Sequence, residues 1–168
     1  PYAAKHSVLV SIFSVMLAQE CEINSDQKLK HIGLGAFLHD IGVTQLKFDP
    51  EDVEMINSEQ REEINKHPQY GKQIIDALKG VPQEVGTIIL QHHEQPNGAG
   101  YPNNLKGTEI YPPAKMVAIA DSFSALISKR SYRDAFSLQE AFSRMTQDEM
   151  KYDRKMLRTF AKIFGVTL

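Results

Sequence analysis

The 168-residue sequence contains a single cysteine, Cys21. That excludes an internal disulfide and a CxxC metal pair, and it fits a reducing, cytoplasmic setting. Positive charge is not in excess. A formal charge of −2 provides no basic field to hold a nucleic-acid polymer. Long apolar runs are missing too: the greasiest stretch, Val8 to Ala18, is broken by serines and is too short to span a bilayer. The chain has no Gly-x-Ser-x-Gly elbow, no catalytic-cysteine motif and no glycine-rich phosphate loop, so no ready-made protein nucleophile or P-loop is on offer. Internal repeats, low-complexity tracts and linkers are absent, and no signal peptide is visible within these 168 residues. The chain starts at Pro1 rather than methionine. It is expected to be one domain, residues 1–168, cut from a longer protein that could be membrane-tethered upstream.

Helical spacing of apolar residues recurs throughout, and no alternating pattern persists, so the fold expected is all-α: a single compact domain of seven to eight helices. The first helix should run from about Ala3 to Gln19, with Leu9, Ile12, Phe13, Met16 and Leu17 inward and His6 on the same face. Ser25 or Asp26 can cap a second helix carrying Leu29, Ile32, Leu34, Phe37 and Leu38 toward His39-Asp40, and Gly42 is placed to end it. His31 reads as a structural or surface residue. Asp49-Pro50 predicts a short helix through Ile56. Ser58 caps the next, which ends at His67, and Pro68 opens another with Tyr70, Ile74, Ile75 and Leu78 inward. Pro82 starts a helix leading to His92-His93. Residues 94 to 111 form a long irregular loop, and loops of that length in compact domains tend to be functional or disordered. Pro112-Pro113 introduces a helix bearing Asp121 on its inner face. Ser137 with Glu140, and then Asp153, cap two final helices that look like packing.

Chemistry concentrates at two places, His39-Asp40-Ile41-Gly42 and His92-His93-Glu94 with the following Asn97-Gly98-Ala99-Gly100-Tyr101-Pro102. Together with His67, Asp121 and His6 they supply imidazoles and carboxylates, donors that suit iron, manganese, nickel or zinc. Taken singly, each has a structural explanation at least as good as a ligand role. Taken together, so many inward ionisable groups are costly to bury without a cation. Adjacent helical residues project about 100° apart. The pairs 39–40 and 92–93 therefore suit two neighbouring metals better than one, with a carboxylate such as Asp40 between them. Two close metals hold a bridging water, lower its pKa and clamp an in-line displacement at phosphorus.

These stretches closely resemble the HD-GYP family, a branch of the HD superfamily of metal-dependent phosphohydrolases. The likeness runs over nearly the whole chain: HDIG at 39–42, HP-x-x-G at 67–71, HHE with the GYP loop at 92–102, then Asp121 and Arg130-Ser131-Tyr132-Arg133. The resemblance implies His6, His39, Asp40, His67, His92, His93 and Asp121 as metal ligands, with Asp40 bridging and His39 and Asp40 carrying the catalytic role. It implies two divalent ions, iron or manganese by the family's habit, with zinc and nickel as alternatives. Arg130 and Arg133 would contact the substrate's phosphates or guanine, and Gly98, Tyr101 and Pro102 would line the pocket. The substrate implied is cyclic di-GMP, opened to pGpG or taken on to GMP. A GGDEF-type cyclase or adaptor could dock on the GYP loop, and an upstream sensor or receiver domain is expected.

Three positions depart from the family pattern. Val43 stands where a lysine usually follows HDIG, which removes a positive charge useful near a phosphate. Lys47 is a cation in the following loop that could take its place. Asn97 replaces an aspartate, and both can organise a turn. Tyr2 stands where three-metal members carry glutamate, which favours two metals. The leading expectation is thus a two-metal cyclic di-GMP phosphodiesterase. The alternative is a degenerate domain that senses cyclic di-GMP or binds a signalling partner with weak hydrolysis or none. A phosphohydrolase for a cyclic GMP-AMP hybrid or a nucleoside monophosphate comes next, and a purely structural helical adaptor last.

Overall fold

The recurring three- and four-residue apolar spacing folds as helices. The computed structural model describes residues 2–50, 53, 55–129, 133–148 and 150–168, and of Tyr2 the backbone. Among these residues are eight α-helices and no strand: α1 (Tyr2–Glu20), α2 (Asp26–Phe37), α3 (Ser58–Ile64), α4 (His67–Asp76), α5 (Gln83–Gln91), α6 (Pro112–Ile127), α7 (Leu138–Gln147) and α8 (Arg154–Ile163). Short 3-10 turns occupy Ile41–Gln45 and Gly107–Glu109. None of the helices is long and apolar enough to cross a membrane.

Helix α1 packs against both α2 and α6, while α4 packs against α5 and the first 3-10 turn. The main core lies among α1, α2, α6, α7 and α8, where Phe13, Phe123, Phe142, Phe160 and Phe164 form a continuous aromatic cluster with centroids 4.7 to 6.0 Å apart. Such contacts contribute about 0.5–1.5 kcal/mol per pair beyond the area they bury. A smaller core of Ile75, Val85 and Ile89 joins α4 to α5. Helix ends follow the cap residues. Ser25 caps α2, Ser137 and Glu140 form a reciprocal box on α7, and Asp153 accepts from Met156 N at 3.1 Å.

Several expectations need correction. The α3 cap is Asn57, which accepts from Gln60 N at 2.8 Å while Gln60 reaches back to its backbone; Ser58 is already helical. Helix α3 stops at Ile64 rather than His67, and His67 opens α4. No helix forms at the described residues Pro50, Val53, Met55 and Ile56, and Glu51, Asp52 and Glu54 lie outside the described residues. Ile12 and Leu78, expected inward, face outward, 49 and 52% exposed, and on α2 Leu34 and Phe37 are 40 and 46% exposed. Apolar residues surround α1, so spacing alone could not choose its inner face. The face buried is that of His6, Val10, Phe13, Ser14, Leu17 and Ala18.

Gly42 does not terminate α2. The helix ends at Phe37, where Leu38 N–H bonds Leu34 O, and Gly42 lies inside the 3-10 turn. A side chain there would collide with the backbone carbonyl of His67 and the amide of Gly71. The glycine permits the turn after His39-Asp40 to touch the start of α4. Gly42→Ala is expected to destabilise the domain by about 3 kcal/mol, at the upper end of overpacking costs. Gly80→Ala, at φ 84° but with open space around it, should cost only about 1 kcal/mol. Urea denaturation of both variants checks the contrast.

Candidate metal centre

The sequence puts histidine at the start or end of several helices, and the backbone there fixes each ring the same way. Nδ1 of His39 donates to Ala36 O, that of His67 to Ile64 O and that of His92 to Ile89 O, each at 2.7 Å. A carbonyl can only accept, so Nδ1 carries the proton and Nε2 of the neutral ring presents a bare lone pair. All three Nε2 atoms point into one space. Those of His67 and His92 are 3.3 Å apart, with no proton of a neutral ring to share.

Asp40 lies at the centre. Its Oδ1 is 3.2 Å from His67 Nε2 and 3.7 Å from His92 Nε2, and its Oδ2 is 3.2 Å from His39 Nε2. From α6, Asp121 Oδ1 accepts from His6 Nε2 at 3.0 Å and lies 3.9 Å from His39 Nε2. His6 Nδ1 accepts from the Ser124 hydroxyl at 3.1 Å. Two groups of donor atoms result, each within 4.8 Å: Asp40, His67, His92 and His93 in one, and His6, His39 and Asp40 in the other. Asp40 belongs to both, one oxygen turned to each.

This donor set fits divalent cations. His39 Nε2 is wholly buried yet makes no well-aligned hydrogen bond, an orphaned polar atom of the kind that demands an explanation. Lone pairs and carboxylates facing one another repel unless positive charge sits among them. The local field says the same. Burial opposes charge on His39, but the adjacent Asp40, helped by Asp121 and the Ala36 carbonyl, pushes it up to about 9. Burial would also raise both carboxyls, yet the His39 charge beside Asp40, and the His6 hydrogen bond to Asp121, hold them below the usual carboxylate range. Burial, reinforced by the other ring charges, keeps His92 low and His93 well below its ordinary value. Neutral imidazole is the form a metal takes.

The cluster forms the floor of a cleft of about 930 Å³, of a size that takes a nucleotide-sized ligand. Asp40 leaves 41% of its side chain open, the most accessible of the group. The walls include Phe37, Phe48, Tyr101, Val43, Lys47 and Arg61. Phe37, carried toward His39-Asp40 by α2, is half-exposed because it faces this cleft.

Of the residues expected to contact substrate, Tyr101 lines the cleft, its ring tilted 32° against His93 at 4.7 Å. Burial pushes its hydroxyl up, Asp40 and Asp121 add to this, and Arg61 opposes them. Gly98 and Pro102 are not among the lining residues. Arg133 lies elsewhere: it donates to Leu126 O at 3.0 Å and to Ala125 O at the end of α6, and stacks over Phe136. Helix-end carbonyls are a natural partner for a guanidinium, and the spacing gave no warning of it. Arg130 lies outside the described residues, as do Ser131 and Tyr132. His31 is half-buried, apart from the cluster.

Two wall cations and one buried acid carry more than the sequence suggested. Glu94, 2% exposed, accepts from Asn103 N at 2.6 Å and Leu105 N at 2.9 Å. Its position directly after two histidines was the available signal. The carboxylate pins the loop, and Tyr101 N–H bonds His93 O at 3.2 Å. Gly100 lies so close to the backbone of His93 and Glu94 that a side chain would not fit. Asn97 organises its turn as expected, accepting from Ala99 N at 2.8 Å.

A family model for the HD domain matches residues 1–156. The chain belongs to the HD domain family. A cyclic di-GMP phosphodiesterase of Pseudomonas aeruginosa is 30% identical over 167 residues, covering 98% of this chain and 40% of that protein. A 3'3'-cGAMP-specific phosphodiesterase of Vibrio cholerae is 30% identical over 154 residues, 88% of this chain and 34% of that one. Among solved structures, an HDG"Y"P protein of Bdellovibrio bacteriovorus matches with a TM-score of 0.81 at 30% identity, over 98% of this chain and 53% of that chain. These likenesses support the HD-GYP branch of the HD superfamily. The chain spans less than half the length of these two curated relatives.

Glu94→Ala leaves two backbone donors unpaired and should cost about 3 kcal/mol, read by urea denaturation. Mn²⁺ at 100 times its dissociation constant should raise the unfolding free energy of chelator-treated protein by about 2.7 kcal/mol. Asp40→Asn should remove most of that gain, read by thermal denaturation with and without metal.

Proposed function

We propose that this domain is a metal-dependent cyclic dinucleotide phosphodiesterase, acting on cyclic di-GMP to give pGpG, with further conversion to GMP as a second step. The observation that carries the reading is the convergence of three bare imidazole nitrogens and two carboxylates on the floor of an open cleft. His67, His92, His93 and Asp40 would hold one cation, and His6, His39, Asp121 and Asp40 the other. Iron and manganese are the ions we favour, with zinc and nickel as competitors. Cations bound there would lower the pKa of a water and neutralise charge developing on a phosphoryl group.

The chain's own residues supply the rest. Backbone carbonyls lock His39, His67 and His92 in the tautomer whose Nε2 is free, so no reorganisation is needed at the moment of reaction. His6 can exchange its tautomer without losing Ser124, because a hydroxyl both donates and accepts. Asp40, the most open carboxylate, faces the reacting group. Phe37, Phe48 and Tyr101 offer flat apolar surfaces for nucleobases. A cytoplasmic setting, a single domain over 1–168, an upstream sensor or receiver module and a signalling partner at loop 94–111 belong to the same proposal. So does a substrate contact by Arg130.

The second reading is a degenerate domain that binds cyclic di-GMP or a partner without efficient turnover. Val43 favours it, since an apolar side chain lines the cleft where relatives are expected to carry lysine. Protein reconstituted with Mn²⁺ or Fe²⁺ should release pGpG, followed by chromatography, and chelation should abolish the reaction. Asp40→Asn should lower kcat by at least about 10³, by analogy with the loss of a dominant electrostatic group. Val43→Lys should change kcat less than about threefold. A gain of about 100-fold would sink the enzymatic reading in favour of the degenerate one.

A further inference from the structure

Two cations stand on the wall of the cleft. Among the described lining residues, Lys47 and Arg61 are the only lysine and arginine. They come from different parts of the chain: Lys47 from the segment after the 3-10 turn, and Arg61 from the last turn of α3. Both are exposed, and no ion pair to another described residue involves either one. Their charges are felt on different sides. Glu63 is held low first by its hydrogen bond from Lys66 and then by that from Tyr70, with Lys47 adding to them; the Arg61 charge reaches Tyr101 across the cleft. A lysine and an arginine that line a cleft and are ion-paired to no described acid are available to an anion.

The metal floor can serve one phosphodiester at a time. A cyclic dinucleotide carries two, and the second is left over the wall. We infer that Lys47 and Arg61 form a clamp for the phosphate that is not being cleaved, and so select substrates with two phosphodiesters over those with one. The inference rests on the phosphodiesterase reading and deepens it. Binding energy taken from this remote phosphate positions the reacting one. The clamp also explains how the site does without a lysine at position 43. Charge is supplied from Lys47, four residues on, and from Arg61, where nothing in the local sequence marks the residue as part of a site.

The test uses the metal-loaded chain with Lys47→Gln, Arg61→Gln and Arg61→Lys. Calorimetry with cyclic di-GMP should show Kd weakened about tenfold in each glutamine variant, and Arg61→Lys should recover most of the loss. In turnover, KM for cyclic di-GMP should rise by a similar factor with kcat little altered. The preference for cyclic di-GMP over bis(p-nitrophenyl) phosphate, which has a single phosphodiester, should fall about tenfold. Unchanged Kd and unchanged preference in both glutamine variants would overturn the clamp, as would wild-type protein that fails to bind cyclic di-GMP. If the wild type binds the nucleotide but hydrolyses neither compound, the phosphodiesterase reading falls, and the Kd comparison still decides whether these two cations hold the ligand.

Discussion

Everything in this fold defers to the repulsion among five negative or electron-rich groups around Asp40. Three imidazoles have committed their Nδ1 protons to the backbone, which leaves the other nitrogen of each neutral ring with nothing to donate, and Asp40 and Asp121 draw positive charge onto His39. Two carboxylates lie among them, one of them shared by both donor groups. A protein core assembled only for stability would dilute such a cluster or satisfy it with donors, since an unpaired buried polar atom costs about 1–3 kcal/mol. Here the rigid carbonyl anchors do the opposite and hold the rings on target. The structure invests in a place for positive charge.

The packing explains how residues so far apart in the chain meet. The seven ligand candidates come from five structural units: α1, the turn after α2, the start of α4, the end of α5 and the middle of α6. Helix α1 touches both α2 and α6, and the 3-10 turn touches α4. Gly42 makes the second of these contacts close enough to bring Asp40 under His67. The aromatic core behind α1 and α6 then fixes the relative placement of His6 and Asp121 without taking part in the chemistry.

The sequence disclosed what depends on residue type and local spacing. All-helical architecture, the capping residues at 25, 137 and 153, the irregular loop at 94–111 and the inward histidines were legible because they follow from periodicity, cap chemistry and pairs such as His39-Asp40. The inner face of α1 was legible only in part: His6, Phe13 and Leu17 are buried as expected, but Val8, Leu9, Val10, Ile12 and Phe13 leave no polar side that would have excluded Ile12. Phe37 gave no sign that it lines the cleft, because an apolar residue facing a cleft and one facing a core have the same signature. Gly42 was misread as a cap since a close backbone approach leaves no mark other than the glycine itself. Arg133 was credited with substrate by resemblance, whereas the carbonyls it meets belong to a helix end whose geometry only the folded chain reveals. Arg61 was missed altogether, because proximity in space across some twenty residues to Asp40 has no local signature.

The two apolar cores have a mechanical meaning. One unites α1, α2, α6, α7 and α8 and takes in Ile88 of α5, and the other joins α4 to α5. His67 comes from α4 of the smaller core, His6, His39 and Asp121 from the side of the larger, His92 from the end of α5, which serves both, and Asp40 lies among them. The candidate metal centre therefore doubles as a rivet. A cation bound there would fasten α4 to the rest of the molecule, so metal supply would set how firmly the walls of the cleft stand.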